Sequence, residues 1–143
     1  KVADRHFYPS GKACLFLPEE RYLYFPNGTT VFQFIDGPIK DFFIGQAGFM
    51  ANGDWVFGDR RHDALGIIDY YSNLLHTKDE DVIAQFIYYL SQDTVKGHWV
   101  CYCSSGKKMR DCHYEQLLKT REMIKPKDVQ LSSRLVMRKS VLK

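Results

Sequence analysis

Apolar positions along this 143-residue chain change their rhythm about two-fifths of the way in. Up to that point they come in short runs rich in aromatic and β-branched residues, at 12–17, 21–25, 29–35, 42–44, 48–50 and 55–57. Such runs suit pleated strands. Turn residues punctuate them: Pro9-Ser10-Gly11, Pro18-Glu19-Glu20, Pro26-Asn27-Gly28, Asp36-Gly37-Pro38 and Asn52-Gly53. Asn-Gly pairs tolerate positive φ and favour tight hairpins. The first half therefore predicts an antiparallel sheet.

Beyond residue 62 the period becomes helical. Ala64, Ile67, Ile68, Tyr71, Leu74 and Leu75 share one face of a helix over 63–75. Thr77 and Glu80 have capping-box spacing, and Asp79, Glu80 and Asp81 put negative charge where a helix dipole favours it. Val82, Ile83, Phe86, Ile87 and Leu90 continue that helix as one apolar stripe. Residues 98–103 alternate as a strand, Ser104-Ser105-Gly106 turns, and 107–111 returns, which predicts a late hairpin. A helix over 114–124 is stopped by Pro126. Residues 126–143 read as a tail or docking segment holding a strand or short helix. The expected architecture is one α+β domain spanning 1–143, its antiparallel sheet packed with two to three helices and a late β-hairpin.

Hydrophobic residues at 45% and charged residues at 26% are those of a globular chain, and exclude a disordered or fibrous one. No apolar run approaches the roughly 20 residues of a membrane helix, so no membrane span is expected. No apolar stretch near the start has the form of a signal peptide. The net charge of +3 hides an asymmetry. From Lys107 onward, eleven Lys/Arg against four Asp/Glu leave +7, while the preceding residues, with nine basic and thirteen acidic groups, carry −4. Lys107, Lys108, Arg110, Lys119, Arg121, Lys125 and Lys127 are the candidate contacts to an acidic partner or a nucleic acid. Leu131, Leu135, Val136, Val141 and Leu142 among them indicate that part of the tail packs.

The chemistry-bearing residues gather in the same region. Cys101, Cys103 and Cys112 lie close together and Cys14 far away, a placement that suits free thiols in the cytoplasm better than a disulfide framework. With His98 and His113 they include enough ligands for tetrahedral zinc. Cys101-x-Cys103 is tighter than the usual Cys-x2-Cys, however, and no metal and no cofactor are expected. Alternatively, His98 is a general base for a thiol nucleophile. The nucleophile is Cys112 at a predicted helix start, or Cys14 in the order Cys14, His98, Asp111, with Asp111 orienting the imidazole.

Residues 98–106, His-Trp-Val-Cys-Tyr-Cys-Ser-Ser-Gly, fit His-Trp-x-x-Tyr-x-x-x-Gly. This resembles the H-box of the lecithin:retinol acyltransferase-like proteins, a permuted branch of the papain-like superfamily that includes some picornaviral 2A proteins. Asp111-Cys112-His113-Tyr114 is similar to that family's Asn-Cys-x-His-Phe motif, with Asp111 in place of Asn and His113 one position early. The resemblance implies a thiol hydrolase or acyltransferase, or an inactive relative. Two other stretches, Asn27-Gly28-Thr29 to Asp36-Gly37 and Asn52-Gly53-Asp54-Trp55 to Gly58, resemble degenerate MORN repeats, which implies scaffolding β-hairpins.

The function expected from the sequence is binding. It is a non-catalytic interaction domain that meets a protein or other acidic partner through its basic C-terminal third. A papain-like thiol hydrolase and an RNA-binding module are the alternatives.

Overall fold

A computed structural model describes residues 6–8, 10–58 and 63–141. The chain divides into two compact units, Lys1–His62 and Asp63–Lys143. Among the described residues there is no β-strand. Pairing is confined to two isolated antiparallel bridges, Phe7 with Ala13 and Val100 with Lys108. The expected α+β fold is thus corrected to a helical one. Neither the N-terminal antiparallel sheet nor the late β-hairpin forms as strands.

In the first unit the reason is local capping. Pro18 opens a 3-10 turn, Pro18–Glu20, that runs into α1, Arg21–Tyr24. Thr30 and Gln33 then form a capping box for α2, Val31–Phe34: the Gln33 backbone N–H donates to Thr30 Oγ1 (3.2 Å) and the Thr30 N–H donates to Gln33 Oε1 (2.9 Å). The two strand-like runs at 42–44 and 48–50 are one helix, α3, Lys40–Asn52. Its interior glycines are packing sites. A Cβ at Gly45 would meet the Trp55 ring at 2.8 Å, and one at Gly48 would clash with Val56 Cγ2. Trp55 can lie on α3, stacked on Phe49 at 5.3 Å, because those side chains are missing. Gly53, at φ 79°, is the left-handed C-cap of α3, so Asn52-Gly53 ends a helix instead of turning a hairpin. The hairpins implied by the MORN-like resemblance are accordingly not formed in these segments. Aromatic contacts join the short elements: Phe16 stacks on Tyr24 at 5.2 Å, and Phe25 meets Phe34 edge-on at 5.0 Å.

The second unit packs four helices: α4, Asp63–Leu75; α5, Glu80–Ser91; α6, Tyr114–Met123; and α7, Pro126–Val141. Helix α5 is central and lies against α4, α6 and α7. Its stripe Ile83, Phe86, Ile87 and Leu90 is fully buried, with Tyr71 from α4, Leu117 from α6, and Val129 and Val136 from α7. Ser91 and Ser133, whose hydroxyls meet at 3.4 Å, let α5 and α7 approach closely. Asp79 caps α5 by accepting from the Asp81 and Val82 N–H groups, two positions beyond the expected Thr77. Pro126 both stops α6 and starts α7, because a first-turn residue needs no N–H. The expected strand or short helix beyond it is α7, a 16-residue helix. No helix among the described residues is long and apolar enough to cross a membrane.

Candidate metal centre

Between α5 and α6 the chain makes a compact turn that gathers four ligand side chains. Trp99–Cys101 runs antiparallel to Lys107–Met109: the Cys101 N–H donates to Lys107 O (2.8 Å) and the Met109 N–H to Trp99 O (2.7 Å). Ser104 and Gly106, at φ 60° and 73°, reverse the chain between them. Met109, fully buried, anchors the return segment. A 3-10 turn, Met109–Asp111, then folds the chain back, and Cys112 and His113 arrive beside the first two cysteines just before α6.

The Sγ atoms of Cys101, Cys103 and Cys112 and a ring nitrogen of His113 all lie within 4.8 Å of one another. The closest approaches are Cys112 Sγ to His113 Nδ1 at 3.2 Å, Cys101 Sγ to His113 Nδ1 at 3.3 Å, and Cys103 Sγ to Cys112 Sγ at 3.6 Å. Zn–S bonds of about 2.3 Å and Zn–N bonds of about 2.0–2.1 Å define a tetrahedron with S···S edges near 3.8 Å and S···N edges near 3.6 Å. The three closest separations lie within about 0.4 Å of those edges, and no pair is more than 4.8 Å apart. Three thiolates and one imidazole are a common structural zinc set, whereas magnesium and calcium prefer oxygen.

The surroundings differentiate the thiols. Burial pushes the Cys101 thiol up to about 11, while the Ser105 hydroxyl, 3.2 Å from Cys103 Sγ, brings the Cys103 thiol down to about 6. Cys101 is buried, Cys103 is half-buried and Cys112 is exposed. Tyr102 braces the inner wall. Its ring packs on Phe86 (4.9 Å) and His113 (5.2 Å), its hydroxyl donates to Gln116 Oε1 at 2.7 Å, and burial raises its phenol well above the ordinary value. A centre of three thiolates and one divalent ion is net negative. Lys107, Lys108 and Arg110 are exposed on the same loop and offset that charge.

The sequence-predicted residues are distributed as follows. Cys112 meets an imidazole, but that of His113, the residue next to it; His98 is exposed at the loop's entry. Asp111 pairs with Arg110 (3.7 Å). Cys14 belongs to the first unit, where its thiol contacts the Tyr8 hydroxyl at 3.5 Å. Lys119 pairs with Glu115 at 2.9 Å, and Lys125 donates to Glu122 O. Arg121 points inward and donates to Gln92 O (2.6 Å) and Asp93 O (2.9 Å) at the end of α5. Lys127 lies on the outer face of α7, where Arg134 and Arg138 are also exposed. Those two arginines were absent from the sequence-based set, although their spacing from Lys127 repeats about every two helical turns or one. No family model, curated protein or solved structure matches this chain.

Proposed function

We propose that the chain is a non-catalytic interaction module whose second unit is held by a Cys3His zinc centre at Cys101, Cys103, Cys112 and His113. The convergence of four soft and borderline ligand atoms within 4.8 Å, on thirteen consecutive residues, carries this reading. Four protein ligands close a tetrahedral zinc, which leaves no position for a reacting water. Thiols already ionised as metal ligands need no general base, and Cys112 is paired with an imidazole that serves equally as a ligand. Lys107, Lys108 and Arg110, exposed on the loop, and Lys127, Arg134 and Arg138, exposed on α7, supply the basic charge that favours an acidic protein partner.

Native mass spectrometry of the full chain refolded with zinc tests the reading: one zinc per chain is expected, and its removal by a chelator should lower the unfolding midpoint. Refolded protein that takes up no zinc refutes it. For the partner, anisotropy of a labelled polyglutamate peptide should show salt-dependent binding that Lys108→Glu with Arg110→Glu weakens. Binding of a single-stranded RNA oligomer in preference to polyglutamate at equal salt would replace the acidic protein with RNA.

A further inference from the structure

The four ligands are not equivalent towards solvent. Cys101 is 3% exposed and touches His113 Nδ1 at 3.3 Å. Cys112 is exposed, Cys103 is half-buried, and their sulfurs lie 3.6 Å apart. Ser105 Oγ is 3.2 Å from one sulfur and 3.6 Å from the other. The site thus has an inner half, Cys101 and His113, and an outer half that is a solvent-facing dithiol. A disulfide needs the two sulfurs at about 2.05 Å, a closure of roughly 1.5 Å. The segment between them begins with the exposed residues Ser104 to Gly106, ahead of the pairing of Lys107 and Lys108 with the Val100–Cys101 segment, so this turn can shift without disturbing the core.

We propose that Cys103 and Cys112 are an oxidation site for small peroxides, whose disulfide withdraws two of the four ligands and releases the zinc. The release step rests on the zinc reading above; the bond itself rests on the sulfur geometry. One thiolate attacks a peroxide oxygen. An S–O bond forms, the O–O bond breaks, and hydroxide leaves, to be protonated to water. The second thiolate attacks the sulfenic sulfur, the S–S bond forms, and the S–O bond breaks with loss of a second hydroxide, which solvent also protonates to water. Two thiolates, one hydrogen peroxide and two solvent protons give one disulfide and two waters, the two electrons passing from sulfur to oxygen. Cys112 is the better exposed and attacks the peroxide first; Cys103 resolves. Cys101, shielded by burial, stays reduced. With only Cys101 and His113 left the ion is shed, and a thiol reductant with zinc restores the site.

The test uses the full-length, zinc-loaded chain carrying Cys14→Ser, which removes a thiol of the first unit. It is treated with hydrogen peroxide in the presence of a chromogenic zinc chelator, then alkylated and digested with chymotrypsin, which cuts after Tyr102 and so separates Cys101 from Cys103. The expected result is a Cys103–Cys112 bridge appearing in step with zinc, one ion per bridge, both reversed by dithiothreitol. A bridge that includes Cys101, an intermolecular bridge, or sulfinic acid at Cys112 overturns the proposal. Zinc-loaded protein that keeps both thiols reduced while a free cysteine peptide is oxidised also overturns it, and leaves the metal reading standing. Protein that takes up no zinc on loading and still forms the bridge overturns the metal reading and the release step with it.

Discussion

Replacing Arg121 by methionine should cost stability and leave the basic surface intact. The charge sits in the C-terminal third and was expected to face a partner. Its guanidinium instead ties α6 to the end of α5, donating to Gln92 O at 2.6 Å and Asp93 O at 2.9 Å, with a longer contact to Leu90 O at 3.5 Å. These carbonyls lie at or just past the C-terminus of α5, where orphan acceptors gather and the dipole favours a cation. Hydrogen bonds to charged groups contribute about 1.5–3 kcal/mol each when buried. Here the side chain is only half-buried and water can replace part of the loss. The expected cost of Arg121→Met is therefore about 2 kcal/mol in total, on the order of thirtyfold in the folding constant. With a urea slope of about 2 kcal/mol/M, the midpoint of the zinc-loaded chain falls by about 1 M. Arg121→Lys keeps the charge but loses the fork, and should recover about half. The assay is urea unfolding followed by far-UV circular dichroism. An unchanged midpoint, with polyglutamate binding weakened as much as by Lys108→Glu, refutes the assignment and returns Arg121 to the surface.

Three further outcomes follow from the packing and the site. Phe86→Ala should destabilise the second unit by about 3–5 kcal/mol, because the ring is fully buried between Tyr71 and Tyr102; thermal unfolding measures it, and a cost under about 1 kcal/mol contradicts this core. Gly45→Val places a Cβ where the Trp55 ring now lies at 2.8 Å, so in a Trp99→Phe background Trp55 emission should shift to the red; unchanged emission contradicts the contact. Zinc binding near neutral pH should release protons, most readily detected from Cys101, whose thiol burial holds up to about 11, and least from Cys103, whose thiol the Ser105 hydroxyl has already brought down to about 6. Because a protonated thiol must lose its proton to bind, affinity rises with pH through the neutral range and weakens as pH falls; calorimetry in buffers of different ionisation enthalpy reads the proton count, and a pH-independent affinity contradicts it.

Helices α4 and α5 of the second unit were legible in the sequence because they are amphipathic, whereas the strand and hairpin expected at 98–111 do not form and α7 was expected only as a strand or short helix. The spacing of Ile67, Ile68 and Tyr71, and of Ile83, Phe86, Ile87 and Leu90, placed α4 and α5 and named most of their buried residues. The first unit was not, because its aromatic and β-branched residues favour strands on propensity alone, while caps decide the outcome. Thr30-x-x-Gln33 and the C-cap Gly53 were visible but were read as parts of strands and hairpins. Gly48 was read as the start of a strand and Gly45 carried no signal, yet both clear room for Trp55 and Val56, which only the folded chain reveals. At the site, all four ligands were noticed and a metal was still set aside. Cys101-x-Cys103 on a strand puts both sulfurs on one face. In the structure the chain leaves extended pairing after Cys101, and the left-handed Ser104 and the 3-10 turn at Met109–Asp111 bring Cys112 and His113 to them. Spacing rules assume regular backbone on both sides, and this loop supplies its convergence through irregular turns.

X-ray absorption at the zinc edge tests the central claim most directly. The zinc-loaded chain should show three sulfurs at about 2.3 Å and one nitrogen at about 2.0–2.1 Å, and His113→Ala should replace the imidazole pattern while keeping the sulfurs. A first shell of oxygen and nitrogen alone, or one unchanged when Cys101, Cys103 and Cys112 are replaced by serine, would contradict a centre built on these residues.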